Sequence, residues 1–299
     1  AAVVLDARTG GVLAAASLPT FDPNNVTAAQ MAAMNRNDSG NFPLINRAVN
    51  GFYPPGSTFK IVTASALLAG SDAGFTTDCN HATPLRWAIG NARYSRRRIA
   101  DDEGERAHGT IGLRGAVVDS CNVYFARAGI RLGAKDLRTQ AARFGFAKLP
   151  TAAQFDAALP EIAFGQGEML ASPLEIAGVA QAVASGGKQF APTWKKSVLP
   201  KTTEVMTPDA ANALAEAMAS VTQTGTAAGR FDGLPFAVAG KTGTAQNDQF
   251  DKRSHGWFAG FAPVNSPKVA FAVIIENGGY GAQTAVPVAR AILQRLPPD

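Results

Sequence analysis

A serine and a lysine one helical turn apart are the first residues in this chain whose types and spacing could do chemistry. In Tyr53-Pro54-Pro55-Gly56-Ser57-Thr58-Phe59-Lys60 a stiff turn delivers Ser57 to the start of an apolar run over residues 59–69. That run reads as a buried helix. A serine at a helix N-terminus sits among unpaired backbone N–H groups, which favour developing negative charge. Lys60, three residues on, stands on the same helix face. Apolar surroundings weaken an ammonium's hold on its proton. A neutral amine there can take the serine's proton and make a nucleophile without a histidine. A capped core helix with a snorkelling lysine satisfies the same spacing, and Ser-x-x-Lys alone does not separate the two. Ser185-Gly186-Gly187-Lys188 also fits the pattern, but its two glycines work against a helix.

Two more short stretches carry suitable side chains. Ser120-Cys121-Asn122 lies between two apolar segments with helical spacing, whereas its mimic Ser39-Gly40-Asn41 lies in polar loop. Asn122 offers both a donor and an acceptor. Lys241-Thr242-Gly243-Thr244 follows an apolar approach and presents a cation and two hydroxyls, a set suited to a carboxylate. Gly243 lets the chain pass close to a ligand with no side chain in the way.

These residues need a scaffold to converge. Ala2-Val3-Val4-Leu5-Asp6 and Gly11-Val12-Leu13-Ala14-Ala15-Ala16 flank a polar turn ending at Gly10, a hairpin whose strands suit two buried faces. Residues 17–46 are rich in Pro, Asn and Asp, with one helix over 27–34 capped at Asn25 or Thr27. No period persists over 71–99, which predicts loops. Two helices are predicted with Ser120-Cys121-Asn122 at their junction, another over 136–144 stopped by Gly145, and loop over 150–162. Ser172-Pro173 and Thr207-Pro208 each set a capping residue before a first-turn proline, starting helices that run to about 184 and 221. Strands are predicted through Lys241, over 256–262 and over 268–276, and a last helix over 282–296 begins around Pro287 or slightly earlier. The predicted class is α+β. An antiparallel sheet of about five strands is flanked by helices, with an all-helical lobe inserted between the first hairpin and the last strands. The α/β part takes about 1–56 and 225–299, the mainly helical part about 57–224.

The 299 residues, 46% hydrophobic and 17% charged, describe a globular chain with a large core. No apolar run reaches the ~18 residues that span a bilayer, and no signal-peptide pattern occurs. The abrupt start in a core strand predicts an excised domain whose anchor lies upstream. A net charge of +5 permits an anionic polymer as partner, but the basic residues are dispersed. The one dense cluster, Arg93 with Arg96, Arg97 and Arg98, is offset by Asp101, Asp102, Glu103 and Glu105 and reads as an exposed polar loop. Nucleic acid is not an expected partner. Cys79 and Cys121 lack metal or redox spacing and are expected as free or buried thiols, with a disulfide between them as the alternative. His81, His108 and His255 are too far apart to signal a metal. With no metal and no cofactor expected, the chemistry falls to Ser, Lys, Thr and backbone.

Ser57-Thr58-Phe59-Lys60, Ser120-Cys121-Asn122 and Lys241-Thr242-Gly243, in this order, resemble the signature of penicillin-binding proteins and serine β-lactamases. Further stretches resemble the class B penicillin-binding D,D-transpeptidases over nearly the whole chain. They are Asn46-Arg47-Ala48-Val49, His108-Gly109-Thr110, Gly165-Gln166-Gly167 before Ser172-Pro173-Leu174, Gly225-Thr226-Ala227, and Trp257-Phe258-Ala259-Gly260-Phe261-Ala262.

The resemblance implies a peptidoglycan transpeptidase with Ser57 as nucleophile toward a D-Ala-D-Ala bond and Lys60 as its base. Ser120 and Lys241 would pass a proton to the leaving amine, and which group is the acylation base stays open. Asn122 would hold the substrate's amide side chain, and Lys241, Thr242 and Thr244 a terminal carboxylate, with Gly243 giving room. The backbone N–H groups of Ser57 and Thr244 would form the oxyanion hole. Implied partners are stem peptides, β-lactams and, through regions outside this chain, elongation or division machinery. The implied site of action is the outer face of the bacterial inner membrane, in the periplasm. A D,D-carboxypeptidase, a β-lactamase or a non-catalytic penicillin sensor shares the same motifs. The sequence departs from the class B pattern in having no upstream pedestal or anchor. It shows no clear counterpart of the β-lactamase deacylating glutamate, Glu161 and Glu168 being the acidic residues of the middle region.

Overall fold

The computed structural model describes residues 1–70, 72–79, 94, 99, 101, 107–198, 200–246 and 253–296. Arg93, residues 96–98, Asp102, Glu103, Glu105 and His81 lie outside this set, and so does the charged loop read from them.

Five strands form one antiparallel sheet. They are β1 (Ala2–Asp6), β2 (Val12–Ala16), β7 (Ala239–Ala245), β8 (His255–Ala262) and β9 (Val269–Ile275), in the spatial order β2-β1-β9-β8-β7. Ala2 pairs with Val273 and Lys241 with Ala259, so the two ends of the sequence supply the whole sheet. Helix α9 (Pro173–Ala184) packs on β9, β1 and β8, and α11 (Gly281–Leu293) on β8, β9 and β7. Every residue of β8 is buried, because helices cover both of its faces. This is why its sequence shows no alternation of polar and apolar residues. The first hairpin departs from expectation on one side. Strand β2 is an outer edge, and Leu13 is 58% exposed.

Between the hairpin and β7 lie the helices. In order they are α1 (Ala28–Arg36), α2 (Arg47–Asn50), α3 (Lys60–Ala69), α4 (Leu113–Val118), α5 (Asn122–Leu132), α6 (Ala134–Arg143), α7 (Ala152–Ala157), α8 (Leu159–Ile162) and α10 (Pro208–Gln223). Helix α1 starts at Thr27 with a reciprocal capping box to Gln30, and α9 does the same with Ser172 and Glu175. Helix α3 is buried from Lys60 to Leu67 and packs on α5, α6 and α10, making it the axis of the helical region. Helix α10 in turn packs along β7.

Several expectations are corrected. Residues 150–162 are not loop: Thr151 and Gln154 form a capping box that starts α7, and α8 follows. Two short hairpins were not anticipated, β3 (Thr76–Cys79) with β4 (Gly109–Gly112), and β5 (Lys188–Phe190) with β6 (Thr202–Glu204). The last helix begins at Gly281, and Pro287 lies inside it on the exposed face, where its missing N–H is least costly. Among the described residues no helix is long and apolar enough to cross a membrane.

Candidate active site

The turn before Ser57 is held from three directions. The indole Nε1–H of Trp257 on β8 donates to the Pro54 carbonyl at 3.0 Å. Tyr53 and Ala171 exchange backbone hydrogen bonds at 3.0 and 2.8 Å, and the Gly56 N–H donates to Gly165 O at 2.8 Å. Tyr53 stands edge-on to Trp257 and His255, with ring centroids 6.2 and 5.4 Å away, and its hydroxyl donates to Glu276 Oε1 at 2.5 Å. Buried Arg47 completes this network with its Nε–H at 3.0 Å from both Glu276 oxygens. Burial first, and then the hydrogen bond to Glu276, push the Tyr53 phenol pKa up, so it stays a donor.

Ser57 does not cap α3 with its side chain. It lies in a 3₁₀ turn over Gly56–Phe59 that runs straight into α3, and no side-chain capping bond is made at Pro55. The tighter turn follows from the Pro-Pro-Gly lead-in and from the Thr58 hydroxyl, which donates to Pro55 O at 2.7 Å. The Ser57 hydroxyl, half-buried, makes no hydrogen bond among the described residues, so neither Lys60 nor a capped amide holds it in this state.

Lys60, fully buried, reaches from α3 to the α4–α5 corner. Its Nζ donates to the Ser120 carbonyl, to Asn122 Oδ1 at 2.7 Å and to Ser120 Oγ at 3.2 Å, and lies 5.6 Å from the centre of the Phe125 ring. Lys241, also fully buried, reaches from β7 to the same hydroxyl. Its Nζ donates to Ser120 Oγ at 2.8 Å and to Thr242 O at 3.1 Å. Ser120 Oγ therefore lies within hydrogen-bond reach of both lysine Nζ atoms, which occupies its lone pairs and leaves its own proton to be donated outward. Ser120 has φ 60°, a left-handed conformation that costs a non-glycine residue energy and is held by this surrounding network.

The remaining predicted residues line the same cleft. Gly243 passes the Ser57 turn so closely that a Cβ there would stand 3.0 Å from Trp257 Cβ and 3.2 Å from Pro55 O. The Thr244 carbonyl lies against Gly56, 2.8 Å from where a Cβ on that residue would be. Thr242 turns its hydroxyl inward to Thr226 Oγ1 at 2.6 Å. Ser57, Ser120, Asn122 and Thr244 are half-buried while Lys60 and Lys241 are fully buried, so hydroxyl and amide groups face the cleft with the two lysines beneath them. The decoys stay apart. Ser185 Oγ bonds to Ala7 O, Lys188 lies on β5, and Ser39 and Asn41 lie in a surface turn.

Sequence reasoning missed Asp101. It was grouped with an exposed acidic run, yet it is 8% exposed, accepts the Asn122 N–H and lies 3.7 Å from Cys121 Sγ and 3.1 Å from His108 Nδ1. A hydrogen bond to the Cys79 thiol, then burial and the Asp101 charge, push the Cys121 thiol pKa up, and both cysteines are free. Asp101, His108 and Cys121 bring a carboxylate oxygen, an imidazole nitrogen and a sulfur within 4.8 Å of one another, the donor types of a zinc-like site. Wide sequence spacing had concealed this grouping, because the β3–β4 hairpin and the α4–α5 corner bring it together. Gln166 is the other residue left without a role. Its Nε2 donates to Thr244 O at 3.3 Å.

The sequence matches the model of the penicillin-binding protein transpeptidase domain over residues 1–294. The chain belongs to this family. It is 33% identical to peptidoglycan D,D-transpeptidase PbpA of Mycobacterium tuberculosis over 98% of its own length and 66% of that protein's. It is 30% identical to peptidoglycan D,D-transpeptidase MrdA of Salmonella typhimurium over 99% of its length and 55% of that protein's. This transpeptidase domain thus spans between half and two-thirds of these relatives. Its fold superposes with a TM-score of 0.82 on a ceftriaxone acyl-enzyme of M. tuberculosis penicillin-binding protein A, 31% identical, over 98% of this chain and 73% of that one. For the complex of penicillin-binding protein PBP2 with MreC from Helicobacter pylori the score is 0.84 at 25% identity, over 99% of this chain and 59% of that one.

Proposed function

We propose that this domain is the catalytic part of a peptidoglycan D,D-transpeptidase, and that β-lactams inhibit it by acylating Ser57. The observation that carries the reading is the meeting of Lys60 Nζ and Lys241 Nζ on Ser120 Oγ, at 3.2 and 2.8 Å, which joins the three motifs in one hydrogen-bonded unit beside Ser57.

In this reading Lys60, in its neutral amine form, takes the proton of Ser57 as the Ser57 oxygen attacks the carbonyl between the two terminal D-alanines. The backbone N–H groups of Ser57 and Thr244 stabilise the oxyanion that forms. Ser120, fed by Lys241, gives its proton to the departing D-alanine amine, leaving an ester on Ser57. An acceptor stem-peptide amine then attacks the ester, returning a proton through the same groups, and the new amide forms as Ser57 is released. Asn122 holds the donor's amide side chain. Thr244 and Lys241, with Thr242 once its hydroxyl turns from Thr226, hold its terminal carboxylate, and Gly243 lets it approach. The reaction needs no cofactor.

Penicillin-binding protein A of M. tuberculosis forms acyl-enzymes with penicillin G, imipenem and ceftriaxone, which supports β-lactam acylation here. The H. pylori complex with MreC supports cell-shape machinery as a partner, engaged through regions beyond this domain, with action on the outer face of the inner membrane. Within the domain the sheet portion, about 1–56 and 225–299, and the helical portion, about 57–224, meet along this cleft.

Transfer from a pentapeptide donor to an amine acceptor tests the reading, together with labelling by a fluorescent penicillin. Stable labelling and transfer that both vanish in Ser57→Ala are expected. Rapid release of the label would replace transfer with hydrolysis, and labelling without transfer would leave a sensor.

A further inference from the structure

Strand β7 is the last in the sheet, so one edge of its backbone has no partner strand. In an antiparallel pair a residue exchanges both its N–H and its C=O with the residue opposite, so both groups leave the strand on one side. The Thr244 carbonyl points to the nucleophile turn, as its closeness to Gly56 shows, and the Thr244 N–H leaves on that side too. An acyl donor whose reacting carbonyl accepts from Thr244 N–H therefore offers its own acylamino N–H to Thr244 O. A stem peptide has that N–H on the penultimate D-alanine, and a penicillin has it on its side-chain amide.

Thr244 O already has a donor in this structure. Gln166 Nε2 approaches it at 3.3 Å from the edge side of β7. The backbone that carries Gln166 cannot easily withdraw. Gly56 N–H donates to Gly165 O at 2.8 Å and Gln166 N–H to Glu161 O at 2.9 Å. Gly165, at φ +84°, is packed so tightly that a Cβ would stand 1.9 Å from Gly56 O. The loop and the nucleophile turn move as one body, so only the Gln166 side chain is free to yield. Its single long hydrogen bond is weak enough to be exchanged.

We propose that the Gln166 carboxamide is a built-in stand-in for the substrate's acylamino N–H. It satisfies Thr244 O in the free domain and is displaced when a donor pairs with β7. This makes Gln166 a specificity-determining residue: it reduces the advantage of a donor that brings an N–H, because that donor must first displace the stand-in. A ligand with no N–H at that position has nothing to exchange. The inference rests on the transpeptidase reading, because it takes Thr244 N–H as an oxyanion donor.

The test measures second-order acylation rates of the wild type and Gln166→Leu with penicillin G, which carries the acylamino N–H, and imipenem, which carries a hydroxyethyl group there. Gln166→Met serves as a second, less bulky replacement, and thermal melts establish that each variant is folded. Removing the stand-in is expected to raise the penicillin G to imipenem rate ratio by about three- to tenfold, the scale set by one neutral hydrogen bond. A ratio that stays constant or falls in the folded variants overturns the proposal. Failure of both lactams to acylate the wild type would instead overturn the transpeptidase reading.

Discussion

The two walls of the cleft are built by different means. On the Ser57 side the turn is braced by backbone pairing to Ala171 and Gly165, by the Trp257 indole, and by strand β7 pressed against it at Gly243. On the Ser120 side the corner between α4 and α5 lies away from the five-stranded sheet, with the short β3–β4 hairpin packed on its helices. It is held by side chains: the Asp101 carboxylate below Asn122, the two lysine Nζ atoms on Ser120, and a left-handed residue at the bend. The first wall is rigid because its backbone is paired. The second is ordered only while its charges and hydrogen bonds are in place, so substitutions there should act more steeply on chemistry than on fold.

The largest effect separating the walls is expected at the group that spans them. Lys60→Met keeps the buried volume and removes the amine, and should slow penicillin acylation by about 10²–10⁴, the usual share of a proton-transfer group. A slowdown of less than tenfold in stopped-flow labelling would assign the proton to Lys241 instead. On the Ser120 wall, Asp101→Ala strands the Asn122 N–H, and should lower stability by about 1–3 kcal/mol while also slowing acylation. Denaturant midpoints and labelling rates check this together, and an unchanged rate would mean the corner keeps its shape without Asp101.

On the braced wall the losses should be milder. Trp257→Phe removes the bond to Pro54 O and opens a cavity where the larger ring was buried, which lowers stability, but it should leave most acylation intact because backbone pairing persists. A collapse of acylation to the level of Lys60→Met would erase the contrast between the walls. The smallest effect is at His255, whose pKa burial lowers, against a weaker upward pull from Glu276. With the folded value below the unfolded value of about 6.5, the unfolded chain binds the proton first as pH falls. His255 therefore contributes fully above about pH 6.5, and stability drops as pH passes down through that value until the folded value is reached. Melting temperatures between mildly alkaline and mildly acidic buffer should show a shallower fall in His255→Gln than in the wild type.

The braced wall was also the legible one. Strands β7, β8 and β9, the hairpin β1–β2 and the capped starts at Ser172 and Thr207 announce themselves through local composition, and the structure has them in those places. On the Ser120 wall the sequence shows the Ser120-Cys121-Asn122 motif at a helix junction, but not what supports it. That Asp101 is buried, or that His108 and Cys121 share its neighbourhood, depends on partners far along the chain and on no local period. Strands β3 to β6, of three or four residues each, are too short for alternation to show. Helix α7 was a different kind of miss, since Thr151-x-x-Gln154 was a readable start signal.

The pairing of Ala2 with Val273 also has a consequence for how the molecule is made. During synthesis β1 and β2 emerge before the helical region and must wait for their neighbour β9 until that region has been made. The sheet can close only after β7 to β9 are available, a long-range step of the kind that slows folding. Until then the helices around α3 can gather with Ser57, Lys60 and Ser120 among them, but Lys241 is missing. The cluster of Ser57, Lys60, Ser120 and Lys241 is therefore assembled late, and a product truncated before β7 would carry Ser57 and Lys60 without Lys241.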